Sequence, residues 1–425
     1  MYKVSSYNNY FEKNGEEFMF NAHSGSYVKI SPEYLSLLNK IQIGETALIS
    51  EEKVQELLEA GFITDSSMDE LGLYKYLRNT SRFSTKHFGL TIATTLQCNF
   101  RCHYCYEMQE DKYLEGEEEQ RLINLVEREL DGKKSFSVNW YGGEPLLNKD
   151  LITRLSKEFI RICEEKDVAY SAGMISNGYL LSRDIALEMV ESNRVRHVQV
   201  TLDGGPESHN KSRVLVGGQG TFDKIINNII DVHEIIKVNI RVNVTKQNKD
   251  NIGTLFKILM DSGLNNKVGL YLAPVTASTE VCQSISDNCL ATKEFAEWEM
   301  ELFEYADSLG FEIGNGYPRN RGGNICQAVN NNGFVVDADG DLYKCWHEVG
   351  NKIKKVGSIE KGITNKDNFF RWMNWELPEK CNDCSILPLC NGRCPDMSLR
   401  GNDFECHQLH YNFKERLHRF YMKKK

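Results

Sequence analysis

Between residues 88 and 310, short apolar runs alternate with stretches of helical spacing. The runs at 90–95, 136–140, 170–175, 197–202, 239–244 and 268–273 predict strands. Glu118–Leu130, Leu151–Glu164, Ser182–Glu191, Phe222–Ile236 and Ile252–Ser262 predict the helices between them. Successive βα units of this kind form a mostly parallel, curved sheet with helices outside it. Functional residues on such sheets collect at the carboxyl ends of the strands.

A different pattern precedes this region. Phe18–Asn21 and Ser26–Ile30, joined by a turn at His23-Ser24-Gly25, predict a hairpin. Ser31 and Pro32 mark the cap and first position of a helix carrying Leu35, Leu37 and Leu38. A second helix, Lys53–Glu59, places Val54, Leu57 and Leu58 on one face and closes at Gly61. Phe62 and Ile63 return as a strand. Residues 1–75 therefore form a small α+β unit that resembles a winged helix.

Composition narrows the class. The chain has 425 residues, 41% of them hydrophobic and 26% charged, with 8 prolines, which describes a folded protein of two or three domains. A net charge of -9 argues against a nucleic-acid partner. No run reaches transmembrane length, and the first residues lack the apolar core of a signal peptide, so the expectation is a cytoplasmic protein with no membrane association.

Thirteen cysteines point to metal ligation rather than disulfides in that compartment. Cys98, Cys102 and Cys105 follow the first strand with spacing C-x3-C-x2-C. Soft thiolates at this spacing hold zinc or an iron–sulfur cluster. A structural zinc site wants four protein ligands; three thiolates suit a cluster with one open iron. Cys163 lies in the predicted helix Leu151–Glu164 and reads as a buried structural residue.

The Cys98–Cys105 stretch resembles the radical S-adenosylmethionine (SAM) enzymes. That resemblance implies a partial (β/α)6 TIM barrel over residues 76–310. It also implies a [4Fe–4S] cluster on Cys98, Cys102 and Cys105 whose open iron is chelated by SAM. One-electron cleavage of SAM in that family yields a radical that abstracts hydrogen from carbon. Further positions take roles from the same resemblance. Gly142, Gly143 and Glu144, in Tyr141-Gly142-Gly143-Glu144-Pro145, would hold the SAM amino group. Ser176 and Asn177 would contact its ribose and carboxylate. Arg213, in the run from Asp203 through His209 to Gly218-Gln219-Gly220-Thr221-Phe222, would pair with the carboxylate. Asn243 would be a further SAM contact, and Tyr104 would meet the adenine.

The later cysteines resemble the SPASM extension of peptide-modifying and sulfatase-maturing members, over residues 311–425. Cys326 and Cys345 are followed by Cys381-x2-Cys384-x5-Cys390-x3-Cys394 and Cys406. The resemblance assigns one auxiliary cluster to Cys381, Cys384, Cys390 and Cys406, and another to Cys326, Cys345 and Cys394, making three [4Fe–4S] clusters in all. Residues 318–325 contain no cysteine to complete the latter set. Either Cys282 or Cys289 reaches in, or that iron is open to a substrate thiolate. Two zinc sites are the structural alternative.

Together these features imply a peptide maturase that forms an intramolecular crosslink, a cysteine thioether foremost. Its partners would be a precursor peptide, whose leader binds residues 1–75, and an electron donor such as flavodoxin or ferredoxin. The alternatives are carbon–carbon or carbon–oxygen crosslinking, formylglycine formation on a sulfatase, and a metal-stabilised scaffold without activity. For residues 1–75, a plain accessory domain stands beside leader recognition.

Overall fold

The computed structural model describes residues 1–45, 50–313, 318, 320, 325–401 and 405–423. Most of 318–325, the stretch that lacks a completing cysteine, lies outside these. The chain divides into two compact units, one of residues 1–83, 315–326 and 375–425, the other of 84–314 and 327–374.

In the first unit, β1 (Tyr2–Val4) pairs antiparallel with β5 (Ile63–Asp65). β2 (Asn8–Lys13), β3 (Glu16–Asn21) and β4 (Tyr27–Lys29) form an antiparallel sheet with β3 central, so the expected hairpin is present and extended by one strand. Alternation along β3 splits its side chains between two cores. Phe18 and Phe20 pack with Tyr7, Leu387, Phe413 and Leu417, while Met19 packs with Leu38, Ile41, Leu57 and Phe62. Ser31 occupies the cap position of helix Pro32–Gln42, but its side chain makes no capping hydrogen bond. Helix Glu70–Arg82 is capped by Asp69, which accepts from the Gly72 amide at 2.9 Å. This helix runs across position 75, and the compact unit extends to Phe83.

The second unit is built on β6 (His87–Ala93), β8 (Ser135–Tyr141), β9 (Ala169–Ser176), β10 (Val195–Thr201), β12 (Lys237–Val244) and β13 (Gly269–Pro274), all parallel and in that spatial order. Two short strands outside this sheet, β7 (Phe100–Cys102) and β11 (Arg213–Leu215), pair with each other. β14 (Gly333–Val336) joins β6 in parallel, and β15 (Asp341–Tyr343), β16 (Gly357–Ser358) and β17 (Gly362–Ile363) continue antiparallel. Its edges, β13 and β17, do not pair, so the sheet is a partial barrel. The carboxyl-terminal region thus falls into two parts, residues 327–374 with the barrel and 375–425 with the amino-terminal unit. Helix Phe222–Val232 stops short of the expected Ile236, which is buried beyond a turn.

Period-two alternation gives the barrel sheet two unlike faces. Phe136 and Trp140 point to the helices, where Trp140 stacks on Phe159 at 6.3 Å between ring centroids. Ser137, Asn139, Gln199 and Asn239 line a cavity of about 460 Å3 on the opposite face. Among the described residues, no helix is long and apolar enough to cross a membrane.

The β14–β15 turn is held electrostatically. Buried Asp337 accepts from the amides of Asp339 (3.0 Å) and Asp341 (2.9 Å) and from the Tyr343 hydroxyl (3.1 Å). Lys352 Nζ reaches the carboxylates of Asp337, Asp339 and Asp341 at 3.4, 2.5 and 2.8 Å. Burial raises the Asp337 pKa, and Lys352 opposes that rise. Lys352→Met leaves three converging carboxylates without this ammonium. The expected loss at neutral pH is about 1 kcal/mol, kept small because the lysine side chain is about half exposed. Without Lys352, burial and the neighbouring Asp341 lift the folded-state pKa of Asp337 further, so folding takes up a proton there and the loss shrinks as pH falls. Urea midpoints of wild type and variant at pH 7.5 and pH 5 check both the loss and its sign.

Candidate functional site

The site grows from a backbone ladder that outlasts its strands. Beyond β6 and β8, the Thr94 amide donates to the Tyr141 carbonyl (3.1 Å), Gly143 to Thr95 (3.0 Å) and Glu144 to Gln97 (3.0 Å). This close approach explains the glycine pair. A Cβ on Gly142 would lie 2.3 Å from the Thr95 carbonyl oxygen, and one on Gly143 2.3 Å from that of Gln97. Gly142 also has φ +128°, a conformation that disfavours side chains.

The ladder brings Glu144 beside the cysteine loop. Its fully buried carboxyl accepts from Ser176 Oγ (2.8 Å), the Asn177 amide (2.7 Å) and the Leu146 amide (3.1 Å). Burial raises its pKa, and the Asn177, Ser176 and Leu146 bonds work against the rise. Asn177 Nδ2 in turn donates to Asn99 Oδ1 at 2.7 Å. The ends of β8 and β9 are joined through one carboxyl group, and the Glu144 amide and Asn177 side chain tie them to the segment that follows β6.

A second network ties the other strand ends to the loop. Antiparallel pairing of β7 with β11 sets Arg213 opposite Cys102. Tyr104 donates to the buried Asp203 and accepts from Arg213 Nη1 (2.8 Å) and Asn243 Nδ2 (3.2 Å). The Asn243 amide donates to Asp203 Oδ1 at 2.9 Å. Arg213 Nε is buried without a hydrogen-bond partner among the described residues. Its main chain is fixed by a relay in which the Asp203 amide donates to His209 Nδ1 (3.2 Å). The other ring nitrogen meets Thr221 Oγ1 (3.0 Å), which donates to the Arg213 carbonyl (2.6 Å). An imidazole accepting at Nδ1 carries its proton on Nε2. Burial holds His209 well below its ordinary pKa, with Arg213 adding to the effect.

Cys98 is nearly sealed from solvent, whereas Cys102 and Cys105 are half-buried. Burial raises all three thiol pKa values, that of Cys105 to about 12. Each of Cys98 and Cys105 also feels Cys102. The structure thus gathers Cys98, Cys102, Cys105, Tyr104, Gly142, Gly143, Glu144, Ser176, Asn177, Arg213 and Asn243 at one end of the barrel sheet.

Among the later cysteines, Cys381, Cys384, Cys390 and Cys406 line one cavity of about 430 Å3, with Lys380 and His410 in its wall. Cys326 and Cys394 belong to the first unit and Cys345 to the second. Cys282 packs with Val275 and Ile285 beside Tyr104 and Tyr106, and donates to the Thr279 carbonyl at 3.5 Å. Cys289 donates to the Ile285 carbonyl at 3.5 Å. Cys163 is buried.

Two features escaped the sequence reading. Tyr106, Tyr141 and Glu107 form a hydroxyl–carboxyl chain, in which the Tyr106 and Tyr141 hydroxyls lie 2.5 Å apart and Tyr141 donates to Glu107. Burial pushes Glu107 up to about 8, and Glu144 adds to the rise. The other is the polar barrel face, whose signal was alternation within parallel strands, as in Val238-Asn239-Ile240-Arg241-Val242-Asn243. Parallel strands covered on both faces read as continuous apolar runs.

Displacing the ladder should uncover the first thiol. In metal-free protein, Gly143→Ala is expected to raise the alkylation rate of Cys98 by roughly an order of magnitude. Peptide mapping after timed iodoacetamide treatment checks this, with Cys163 as the internal reference.

Residues 92–259 match the Radical SAM superfamily. A cysteine-type anaerobic sulfatase-maturating enzyme of Clostridium novyi is 23% identical over 327 residues, covering 70% of this chain and 84% of that enzyme. Among solved structures, anSMEcpe with bound AdoMet and Kp18Cys peptide superposes with TM-score 0.61 at 19% identity, covering 79% of this chain and 99% of that one. Streptococcus suis SuiB bound to precursor peptide SuiA gives TM-score 0.54 at 15% identity, covering 96% of this chain and 99% of that one. These likenesses establish the fold.

Proposed function

The chain carries a radical SAM domain, and from that premise we propose that it is a peptide maturase that closes a cysteine thioether in a ribosomally made precursor. The observation that carries this reading is the second thiol-lined cavity, formed by Cys381, Cys384, Cys390 and Cys406. Joining S–H and C–H into a C–S bond removes two hydrogens, so an acceptor is needed for the second electron. Four thiols at one cavity suit an iron–sulfur cluster in that role. The cluster proposed for Cys326, Cys345 and Cys394 rests on cysteine spacing.

The residues at the barrel end fit the implied cofactors. Cys98, Cys102 and Cys105 offer three soft ligands. Arg213, with Nε unpartnered, suits a carboxylate. Glu144, Gly142 and Gly143 suit an ammonium, and Ser176, Asn177, Tyr104 and Asn243 complete the proposed SAM contacts. When bound, a [4Fe–4S] cluster supplies one electron to SAM, which then supplies the radical that abstracts hydrogen. The protein's own part is positional: the Glu144 and Tyr104 networks hold these side chains in place before any ligand arrives.

Peptide recognition is assigned to the first unit. β4 is an edge strand, with Val28 and Lys29 exposed, and an extended leader adds to such an edge through main-chain hydrogen bonds. SuiB, bound to its precursor peptide, shares this fold over nearly the whole chain. A flavodoxin or ferredoxin is the proposed electron donor. Similarity to the sulfatase-maturating enzyme favours formylglycine formation as the second reading.

The test is incubation of anaerobically reconstituted enzyme with SAM, dithionite and the precursor. The expected product has lost two hydrogens and has one cysteine shielded from alkylation, with 5′-deoxyadenosine formed. Loss of two hydrogens with every thiol still reactive would replace the thioether with another crosslink. Formation of an aldehyde would restore the formylglycine reading.

A further inference from the structure

The polar face of the barrel holds a guanidinium, that of Arg241, with no carboxylate in ion-pair contact among the described residues. Arg241 shares a face of β12 with Asn243, two residues on, and Asn243 reaches the Tyr104 network. Arg241 Nε donates to Asn243 Oδ1 at 2.7 Å, and Nη1 lies 3.5 Å from the Tyr271 hydroxyl, with the guanidinium 5.8 Å from the centre of that ring. The Tyr271 hydroxyl donates to Gln199 Oε1 at 2.5 Å. These neighbours orient the fork and are all neutral, so among the described residues none in direct contact carries a compensating charge. Asp203 and Tyr106 feel Arg241 only at longer range, and Asp203 already accepts from Tyr104 and the Asn243 amide.

Arg241 does not itself line the adjoining cavity, but its contact Tyr271, that residue's partner Gln199 and the strand neighbour Asn239 do, and the cavity has the same bias. Tyr271, Gln199 and Asn239 line it together with Arg196 and His197, and no Asp or Glu is among its lining residues. In a chain of net charge -9, a cavity without carboxylates is a local reversal. Holding a half-buried guanidinium without an anion costs free energy that a bound carboxylate recovers through charge-assisted hydrogen bonds. The cavity, at about 460 Å3, has room for a side chain and its flanking backbone.

We propose that Arg241 receives a carboxylate of the peptide substrate, making an anionic group near the reacting residue a condition of recognition. This rests on the peptide-maturase reading and adds to it a substrate class. The carboxylate belongs either to an acidic side chain or to the peptide's carboxyl terminus, and Gln199, Asn239 and Tyr271 would bond the neutral atoms around it.

The test uses full-length protein reconstituted with iron and sulfide, and four blocked pentapeptides. Three are amidated at the carboxyl terminus and differ only in a central glutamate, glutamine or alanine. The fourth has central alanine and a free carboxyl terminus. Calorimetric titration at low salt is expected to show at least one carboxylate peptide binding about tenfold tighter than its neutral counterpart. Which one does so identifies the source. Arg241→Gln should erase the preference, and Arg241→Lys should keep part of it. Equal binding of all four peptides to wild type would overturn the proposal. So would a selective loss of SAM affinity in Arg241→Gln with the peptide preference intact, because the guanidinium would then serve SAM. If Arg241→Gln fails to fold, the wild-type series and Arg241→Lys still decide. Failure of wild type to form 5′-deoxyadenosine with SAM and reductant is a separate result, and it strikes the radical reading rather than the carboxylate site.

Discussion

The cysteine loop depends on two backbone hydrogen bonds, from Gly143 to Thr95 and from Glu144 to Gln97. They continue the β6–β8 ladder past the point where side chains alternate, so the loop leaves the sheet already aligned with Glu144. The carboxyl of Glu144 then fastens to Ser176 and Asn177. An unpaired buried carboxyl would be costly; here hydrogen-bond donors from its own turn and the next strand end meet it. The glycines follow from this contact, since any side chain at 142 or 143 would collide with the opposing carbonyls.

The antiparallel pair β7–β11 is the second anchor. It links two short segments over a hundred residues apart and sets Arg213 across from Cys102. His209 and Thr221 act on the Arg213 main chain rather than on any ligand. The run from Asp203 to Phe222 therefore combines a network carboxyl, a support for the backbone and one guanidinium with a nitrogen unpartnered among the described residues.

The parts of this arrangement legible in sequence were those carried by periodicity or by tight turns. The six βα units show in the spacing of apolar residues, and Tyr141-Gly142-Gly143-Glu144-Pro145 stands out because adjacent glycines followed by an acid and proline are hard to read as a helix or a strand. Strands of three residues have no period to detect, so β7 and β11 were invisible until paired. The union of β3 with the helix Leu409–Met422 was hidden for a related reason. Phe18, Phe20, Phe413 and Leu417 each look like ordinary core residues, and nothing local states that they share one core. The polar lumen was legible in principle, from the alternation in β8, β10 and β12.

That shared core has a consequence for how the protein is made. Strand β3 leaves the ribosome well before the aromatic residues of the helix Leu409–Met422 that it buries against. Until the helix Leu409–Met422 emerges, Phe18 and Phe20 lack part of their packing, whereas the barrel strands between them can already pair. The same late segment follows directly on Cys381, Cys384, Cys390 and Cys406. Completion of the β3 core and assembly of that thiol cavity therefore wait on the same stretch of chain, and a nascent chain from which the helix Leu409–Met422 has not yet emerged presents exposed aromatic strands to the cell's quality control.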